Sequence, residues 1–128
     1  AHILLIRAEA LAQQGENSSE VIDLINQIRD RVNMPHVEDV EGTALSQQEL
    51  LDIVKHERRV ETAFEGLRYF DLKRWDELGE AYQRFNENDY PLGWTGMRER
   101  IWDDRYMKWP LPQGEVSTND ALEQHEEY

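Results

Sequence analysis

The sequence predicts an all-α fold, and three observations support this prediction. Apolar residues recur at steps of three and four within residues 3–12, 21–32 and 50–64, which is the period of an amphipathic helix. Gly15 and Pro35 stand where the first two of these segments end, as is typical of helix ends. No run of alternating apolar and polar residues is long enough to indicate a β-strand. We therefore expect helical hairpins, followed by a long irregular loop and a C-terminal proline strap.

The first predicted helix pair occupies residues 1–35. Its first helix ends at Gly15, because glycine readily adopts the left-handed conformation that caps helices. Asn17 and Glu20 fit a capping box that begins the second helix. A pair of this length, joined by a glycine-containing turn and closed by Pro35, has the form of one tetratricopeptide-like unit. A single unit cannot bury both of its faces, so we expect the rest of the chain, or neighbouring units upstream, to pack against it.

A second predicted helix pair occupies residues 46–79, after a polar connector at 36–45. Ser46 and Glu49 fit a capping box for a helix that runs to about Phe64. A glycine then interrupts the helical pattern, and a further helix completes the segment up to residue 79.

The first helix of this second pair carries charges on its apolar face. Steps of three and four residues place Glu57 and Glu61 beside its apolar positions. Buried carboxylates persist only when they are paired and hydrogen-bonded, and the following helix carries Arg68, Asp71 and Arg74. We therefore predict that these five residues form a structural ion-pair network that ties the two helices together.

Residues 80–128 predict the long loop and the strap. No strong period appears before residue 108, although 97–105 is compatible with a short helix. From Trp109 onwards, each residue before a proline is pushed towards extended geometry, so the strap should lie over the helices. We assign Trp75 and Trp109 to the core.

The composition excludes several classes of function. The chain has 27 acidic and 14 basic residues and a net charge of −13, so nucleic acid and anionic lipid surfaces would repel it. It has no cysteine, which excludes a disulfide framework and a thiol nucleophile. The apolar run at residues 2–6 is too short to span a membrane. We read it as an interrupted helix and expect the chain to be a piece of a longer protein.

Four blocks of sequence carry a family resemblance. The segment 57–75 contains Glu57-Arg58-Arg59, Glu61, Phe64-Glu65-Gly66 and Arg68-Tyr69-Phe70-Asp71-Leu72-Lys73-Arg74-Trp75. This order and spacing resemble the ERR-x-E-x-x-FEG-x-RYFDLKRW signature of the SusD/RagB family. The stretches 7–11, 25–31 and 108–113 resemble the family's AEAL, IN-x-hydrophobic-RxR and LWPIPQ segments. The blocks cover nearly the whole chain in the family's order.

The resemblance implies a function and a setting. It implies that residues 1–128 are the C-terminal domain of a non-catalytic lipoprotein on the extracellular face of the outer membrane. Such a protein would bind glycans and deliver them to a SusC-like TonB-dependent transporter. It would meet the membrane only through a lipid anchor outside these residues, and it would need no cofactor. In this family the glycan site is built mainly from loops upstream of the C-terminal region.

Aromatic residues in the long loop are the candidate glycan contacts within this chain. Aromatic faces that stack on sugar rings, flanked by polar groups, favour carbohydrate recognition. We name Tyr90, Trp94, Trp102 and Tyr106 as glycan-binding candidates. The alternative is that these rings pin an irregular loop to the helices.

Two other functions stay open beside glycan binding. A helical-repeat adaptor for a protein or peptide would account for the first helix pair. A glycoside hydrolase would need two facing carboxylates, and Glu57 with Glu61 or Asp103 with Asp104 could be nominated. Neighbouring arginines favour salt-bridged carboxylates over a general acid at the first pair. We predict no metal site, since His56 begins an HExxH pattern that lacks its second histidine.

Overall fold

The computed structural model describes residues 1–15, 18–87 and 100–128. Within these ranges the chain is all-helical and contains no strand, which confirms the predicted fold class. The helices are α1 (His2–Gln14), α2 (Ser18–Asp30), α3 (Val37–Glu41), α4 (Gln47–Glu61), α5 (Arg68–Arg74), α6 (Leu78–Glu87), a 3-10 helix (Asp104–Met107) and α7 (Gln113–Thr118). They divide into two compact units, Ala1–Arg68 and Tyr69–Tyr128.

In the first unit, α1 and α2 form the predicted hairpin and α4 packs against both helices. Helix α1 ends at Gly15, whose φ of 71° is left-handed and whose amide N–H bonds the carbonyls of Ala12 and Leu11. The predicted partner in the next cap, Asn17, lies outside the described residues. One face of the hairpin is therefore buried against α4. Another part of the chain covers this face, as we expected.

The core of the first unit lies between these three helices. Its buried apolar side chains are Leu5, Ala8, Ala12, Val21, Ile22, Leu24, Ile25, Ile28, Val37, Leu50, Leu51 and Val54. Each fully buried leucine, isoleucine or valine contributes about 1.5–3 kcal/mol from the hydrophobic effect. The Gln47 side chain adds a polar tie, because its Nε2 donates to the Ala12 and Gln13 carbonyls at 2.9 Å each. These carbonyls belong to the last turn of α1, where intrahelical partners are missing.

Helix α4 begins at the predicted capping box. Ser46 Oγ accepts from the Glu49 amide at 3.3 Å, and Glu49 Oε2 accepts from the Ser46 amide at 2.8 Å. The helix ends at Glu61, three residues before the predicted end. The assignment of Phe64 to its apolar stripe is wrong, because Phe64 has a φ of 65° and a fully exposed side chain. The Thr62 hydroxyl donates to the Arg58 carbonyl at 2.7 Å where the chain leaves the helix.

The connector at 36–45 contains a short helix that the sequence pattern did not predict. Val37 begins α3 and is fully buried. Its amide donates to Asn26 Oδ1 at 2.9 Å, and Asn26 Nδ2 donates to Glu38 Oε2 at 2.8 Å. His36 at the N-cap makes no side-chain capping bond. The buried side chain of Asn26 on α2 therefore caps α3 in its place.

In the second unit, the predicted helix up to residue 79 is wrong, because two helices occupy this segment. Helix α5 ends at Arg74, and Asp76 takes a left-handed φ of 60° before α6 begins at Leu78. Gly79 lies inside α6. A Cβ placed there would come within 3.0 Å of Trp102 Nε1, so this glycine allows close approach of the indole and does not end a helix.

After α6, the described residues 100–128 contain the 3-10 helix, α7 and the strap. The segment 97–105, which is compatible with a short helix, is not helical at 100–103, and the 3-10 helix begins only at Asp104. Residues 97–99 lie outside the described residues. The strap is fastened at Leu111, whose amide donates to Gln124 Oε1 and whose carbonyl accepts from Gln124 Nε2, both at 2.9 Å. Tyr128 closes the same region, because its hydroxyl lies 3.0 Å from the carbonyl oxygens of Arg105 and Lys108.

Candidate functional site

The core of the first unit contains a buried ion pair. Arg29 on α2 donates from Nε to Glu57 Oε1 at 2.8 Å, and its Nη2 donates to the same oxygen. Its Nη1 donates to the Pro35 carbonyl at 3.2 Å. The two charged side chains are 8% and 9% exposed. Two buried charges are tolerated here because the guanidinium uses all three of its nitrogens as donors.

A second ion pair lies nearer the surface, between the residue that follows α2 and the last residue of α4. Arg31 donates to Glu61, and the side chains are 59% and 20% exposed. Sequence reasoning missed both arginine partners, Arg29 on α2 and Arg31 directly after it. The signal was present, because Arg29 lies four residues after Ile25 and therefore shares its buried helix face.

The other members of the predicted network lie in or next to α5. Asp71 is buried, and Arg74 Nε donates to Asp71 Oδ1 at 3.1 Å. Arg68 begins the helix. The structure thus pairs Glu57 with Arg29 and Glu61 with Arg31, and it pairs Asp71 with Arg74 within α5. A network joining all five residues across the two helices stays a prediction.

Buried polar side chains are fully hydrogen-bonded throughout the described part of the chain. Arg58 is one of them, and its Nη1 lies 3.4 Å from His2 Nδ1. An active site commonly contains a buried polar group that has no hydrogen-bond partner in the protein and is available to the ligand. Among the residues described, the core of the first unit has no buried side-chain nitrogen or oxygen without a hydrogen-bond partner.

Two of the four glycan-binding candidates, Tyr90 and Trp94, lie outside the described residues. Trp102 is half-buried, with its ring edge-to-face against Tyr82 at 5.3 Å and Tyr106 at 6.1 Å. Its Nε1 donates to Asp104 Oδ1 at 2.9 Å. The indole also packs against Gly79 of α6, whereas the Tyr106 side chain is 36% exposed. Glycan contact by either ring stays a prediction.

An exposed group of rings elsewhere in the second unit was not foreseen. We call Tyr69, Phe70 and Trp109 the aromatic patch. The assignment of Trp109 to the core is wrong, because its side chain is 66% exposed. The indole lies at the surface of the strap, held by a hydrogen bond from its Nε1 to the Tyr69 hydroxyl at 3.0 Å. Trp75, also assigned to the core, is half-buried.

The second nominated carboxylate pair is occupied by local bonds. Asp103 accepts from the Arg105 amide at 3.0 Å and caps the 3-10 helix, while Asp104 holds the Trp102 indole. In the described ranges, no group of three His, Cys, Asp or Glu side chains is arranged to hold a metal ion. None of the helices described is both long and apolar enough to cross a membrane.

Comparisons with known proteins agree with the resemblance seen in the sequence. A sequence model of the SusD family matches residues 1–128. The chain is 34% identical over 134 residues to SusD-like protein P38 of Formosa agariphila, which covers 100% of the chain and 23% of that protein. It is 40% identical over 79 residues to SusD-like protein P2 of the same organism, which covers 58% of the chain and 15% of that protein.

The chain spans less than a quarter of the length of these curated relatives. No solved structure matches it significantly. The family match extends from the first residue to the last, and it includes the α4–α5 signature, the paired Arg29 and Arg31, and the strap. On these grounds the chain belongs to the SusD family.

Proposed function

We propose that the protein carrying this chain binds glycans at the cell surface without cleaving them. It passes oligosaccharide to a SusC-like TonB-dependent importer, and it sits on the extracellular face of the outer membrane through a lipid anchor outside these 128 residues. The observation that carries the proposal is the family match over the whole chain.

Within such a protein, residues 1–68 serve as scaffold. Their buried polar side chains are bonded within the unit, as in the Arg29–Glu57 pair, and the Arg31–Glu61 pair makes a further tie nearer the surface. Binding surfaces instead keep donors, acceptors and ring faces available to the ligand. Contacts with glycan made by this chain are therefore proposed for the second unit, at Tyr90, Trp94, Trp102 and Tyr106.

A non-catalytic role is supported by the state of the nominated carboxylates. Glycoside hydrolysis needs one carboxylic acid to protonate the leaving oxygen and a second carboxylate to act as base or nucleophile. Glu57 and Glu61 each accept from an arginine. Asp103 and Asp104 each hold a neighbouring group of the 3-10 turn. All four carboxylates accept hydrogen bonds from neighbouring groups, and these bonds would compete with a catalytic role.

The experiment is affinity electrophoresis of the intact protein in gels containing amylopectin, laminarin, xylan, alginate or polygalacturonate. Retardation by at least one polysaccharide, with no new reducing ends after incubation, is the expected result. Trp102→Ala and Trp94→Ala then test the loop, with Phe64→Ala as a control that removes an exposed ring from the first unit. New reducing ends would contradict the non-catalytic role and support a hydrolase.

The importer is tested separately by affinity purification of the tagged protein from its native membrane. Co-purification of a TonB-dependent transporter in a defined ratio supports delivery, and its absence under mild detergent would contradict that step.

A helical-repeat adaptor is the second candidate, favoured by one observation. Ile3 and Ile6 are exposed on α1, on the side of the helix away from the buried Leu5 and Ala8. An exposed apolar stripe on a helical hairpin is a common peptide-docking surface. Binding of a linear peptide, without any retardation in polysaccharide gels, would favour the adaptor over the glycan-binding protein.

A further inference from the structure

The aromatic patch of Tyr69, Phe70 and Trp109 combines exposure with fixed orientation. Phe70 and Trp109 are 59% and 66% exposed. Tyr69 lies between them, edge-to-face with Phe70 at 5.5 Å and tilted against Trp109 at 6.4 Å. Exposed rings on a strap would normally move freely, but the Trp109 indole is anchored to the Tyr69 hydroxyl. The Trp109 indole is therefore oriented by the Tyr69 hydroxyl before any ligand arrives.

The strap that carries Trp109 is also fixed at both sides of the ring. Lys108 Nζ donates to Glu127 Oε1 at 2.7 Å, and this bond raises the pKa of Lys108 above its ordinary value and lowers that of Glu127. On the other side, Leu111 makes two backbone bonds with the Gln124 side chain. A preorganised contact loses less conformational entropy on binding than a mobile one.

A cation lies over the exposed indole. Lys73 Nζ lies 5.9 Å from the Trp109 ring centroid. Among the residues that the structure describes, no carboxylate lies within ion-pair distance of this ammonium group. Its three N–H donors are thus available beside an apolar ring face, although the chain as a whole has a net charge of −13.

The exposed area of the aromatic patch indicates which kind of ligand fits it. A stable protein partner covers about 800 Å² on each side. One aromatic side chain offers roughly 150–250 Å², so two partly exposed rings provide well under half of that area. The patch instead suits a ligand with one apolar face of ring size and a polar edge. A pyranose has both, since its axial C–H groups form an apolar face and its equatorial hydroxyls accept hydrogen bonds.

We propose that the aromatic patch is a sugar subsite, in which one pyranose ring stacks on Trp109 and an oxygen at its edge accepts from Lys73 Nζ. This inference rests on the proposed function and adds to it a binding position outside the loop of residues 80–108. Tyr69 is a positioning residue, because it acts through the bond that orients the indole. Phe70 extends the apolar surface towards a neighbouring sugar.

The test uses the intact protein and the polysaccharide that retards it most strongly in the gel panel. Trp109→Ala should weaken binding about tenfold, the scale of losing one aromatic contact. Trp109→Phe should recover part of the affinity, because a flat ring remains. Lys73→Gln and Tyr69→Phe, which change few atoms, should each weaken binding by a smaller factor. Phe64→Ala, which removes a fully exposed ring elsewhere, should leave affinity unchanged.

Hydroxyl-radical footprinting distinguishes a sugar contact from a purely structural role, because only a sugar contact would change the oxidation of Trp109 when polysaccharide is added. Trp109 should oxidise readily in the free protein and be protected when the polysaccharide is added, while Trp75 should change little. Unchanged affinity of Trp109→Ala together with an unprotected or already covered Trp109 would overturn the subsite and leave glycan binding intact. Failure of the unaltered protein to bind any polysaccharide in the panel would overturn the proposed function and the subsite together.

Discussion

The two units of the chain are stabilised in different ways. In residues 1–68, twelve apolar side chains are buried between α1, α2, α3 and α4, with the Arg29–Glu57 pair among them. In the described part of residues 69–128, only Leu72 and Leu78 are buried apolar side chains. That unit is held by ring contacts, ion pairs at the surface and bonds from the strap to Gln124 and Tyr128.

The two units also differ in the kind of apolar side chain that they expose. The first unit exposes mainly aliphatic side chains, such as Ile3 and Ile6, around its buried core. The second unit exposes mainly aromatic rings, as Phe70 and Trp109 illustrate. This contrast is the reason why we propose the first unit as scaffold and the second as the place where this chain meets a glycan.

The largest effect is expected at the buried ion pair of the first unit. Glu57→Ala leaves Arg29 buried without its carboxylate and should lower the free energy of unfolding by about 3–5 kcal/mol. Glu61→Ala removes a pair that is more exposed and should cost about 0.2–1 kcal/mol. Urea denaturation of both variants measures the contrast. Small and equal losses of unfolding free energy in the two variants would show that burial does not make the Arg29–Glu57 pair more important for stability.

A leucine in each unit tests whether the two cores are distinct. Leu50 and Leu78 are 3% and 2% exposed, and replacing either by alanine should cost about 2–5 kcal/mol locally. Hydrogen exchange should accelerate mainly in residues 1–68 for Leu50→Ala and mainly in 69–87 and 100–128 for Leu78→Ala. Acceleration across both units in each variant would mean that they unfold together.

A smaller effect is expected at the capping box of α4. Ser46→Ala removes the acceptor for the Glu49 amide and should lower the free energy of unfolding by about 0.5–2 kcal/mol. Ser46→Asn, which keeps a capping oxygen, should restore most of it. Equal losses in the two variants would show that the cap is not what stabilises this end of the helix.

The smallest effect concerns the exposed pair of His36 and Asp30. The hydrogen bond from His36 Nε2 to Asp30 Oδ1 at 2.7 Å raises the pKa of His36 above its usual 6.5. A raised folded-state pKa contributes stability that is fully present below pH 6.5 and is lost as the pH rises through the folded value. NMR titration should give a pKa above 6.5 that falls in Asp30→Asn. A value at or below 6.5 in the unaltered protein would contradict the pair.

Local signals in the sequence were sufficient for several features. Gly15 and the pair Ser46 and Glu49 act through contacts within a few residues, so their pattern alone predicts the helix ends. The apolar periods of α2 and α4 likewise follow from the steps of three and four residues. The family resemblance depends on order and spacing and needs no structure.

Features that depend on distant contacts could not be predicted in this way. The break at Asp76 comes directly after Trp75, a residue type that is tolerated in helices, so the sequence does not mark it. The need for glycine at position 79 comes from the indole of Trp102, which lies 23 positions later in the sequence. The exposure of Trp109 was missed because a tryptophan beside prolines suggests a buried strap. Its position depends on the hydroxyl of Tyr69, forty residues away.

The central claim is that the protein carrying this chain binds glycan without cleaving it, with the first unit as scaffold. Isothermal titration of the intact protein with oligosaccharide, followed by a reducing-end assay on the same sample, tests it most directly. We expect saturable binding and no new reducing ends, both unchanged in Glu61→Ala. Absence of binding across the polysaccharide panel, or the appearance of new reducing ends, would contradict it.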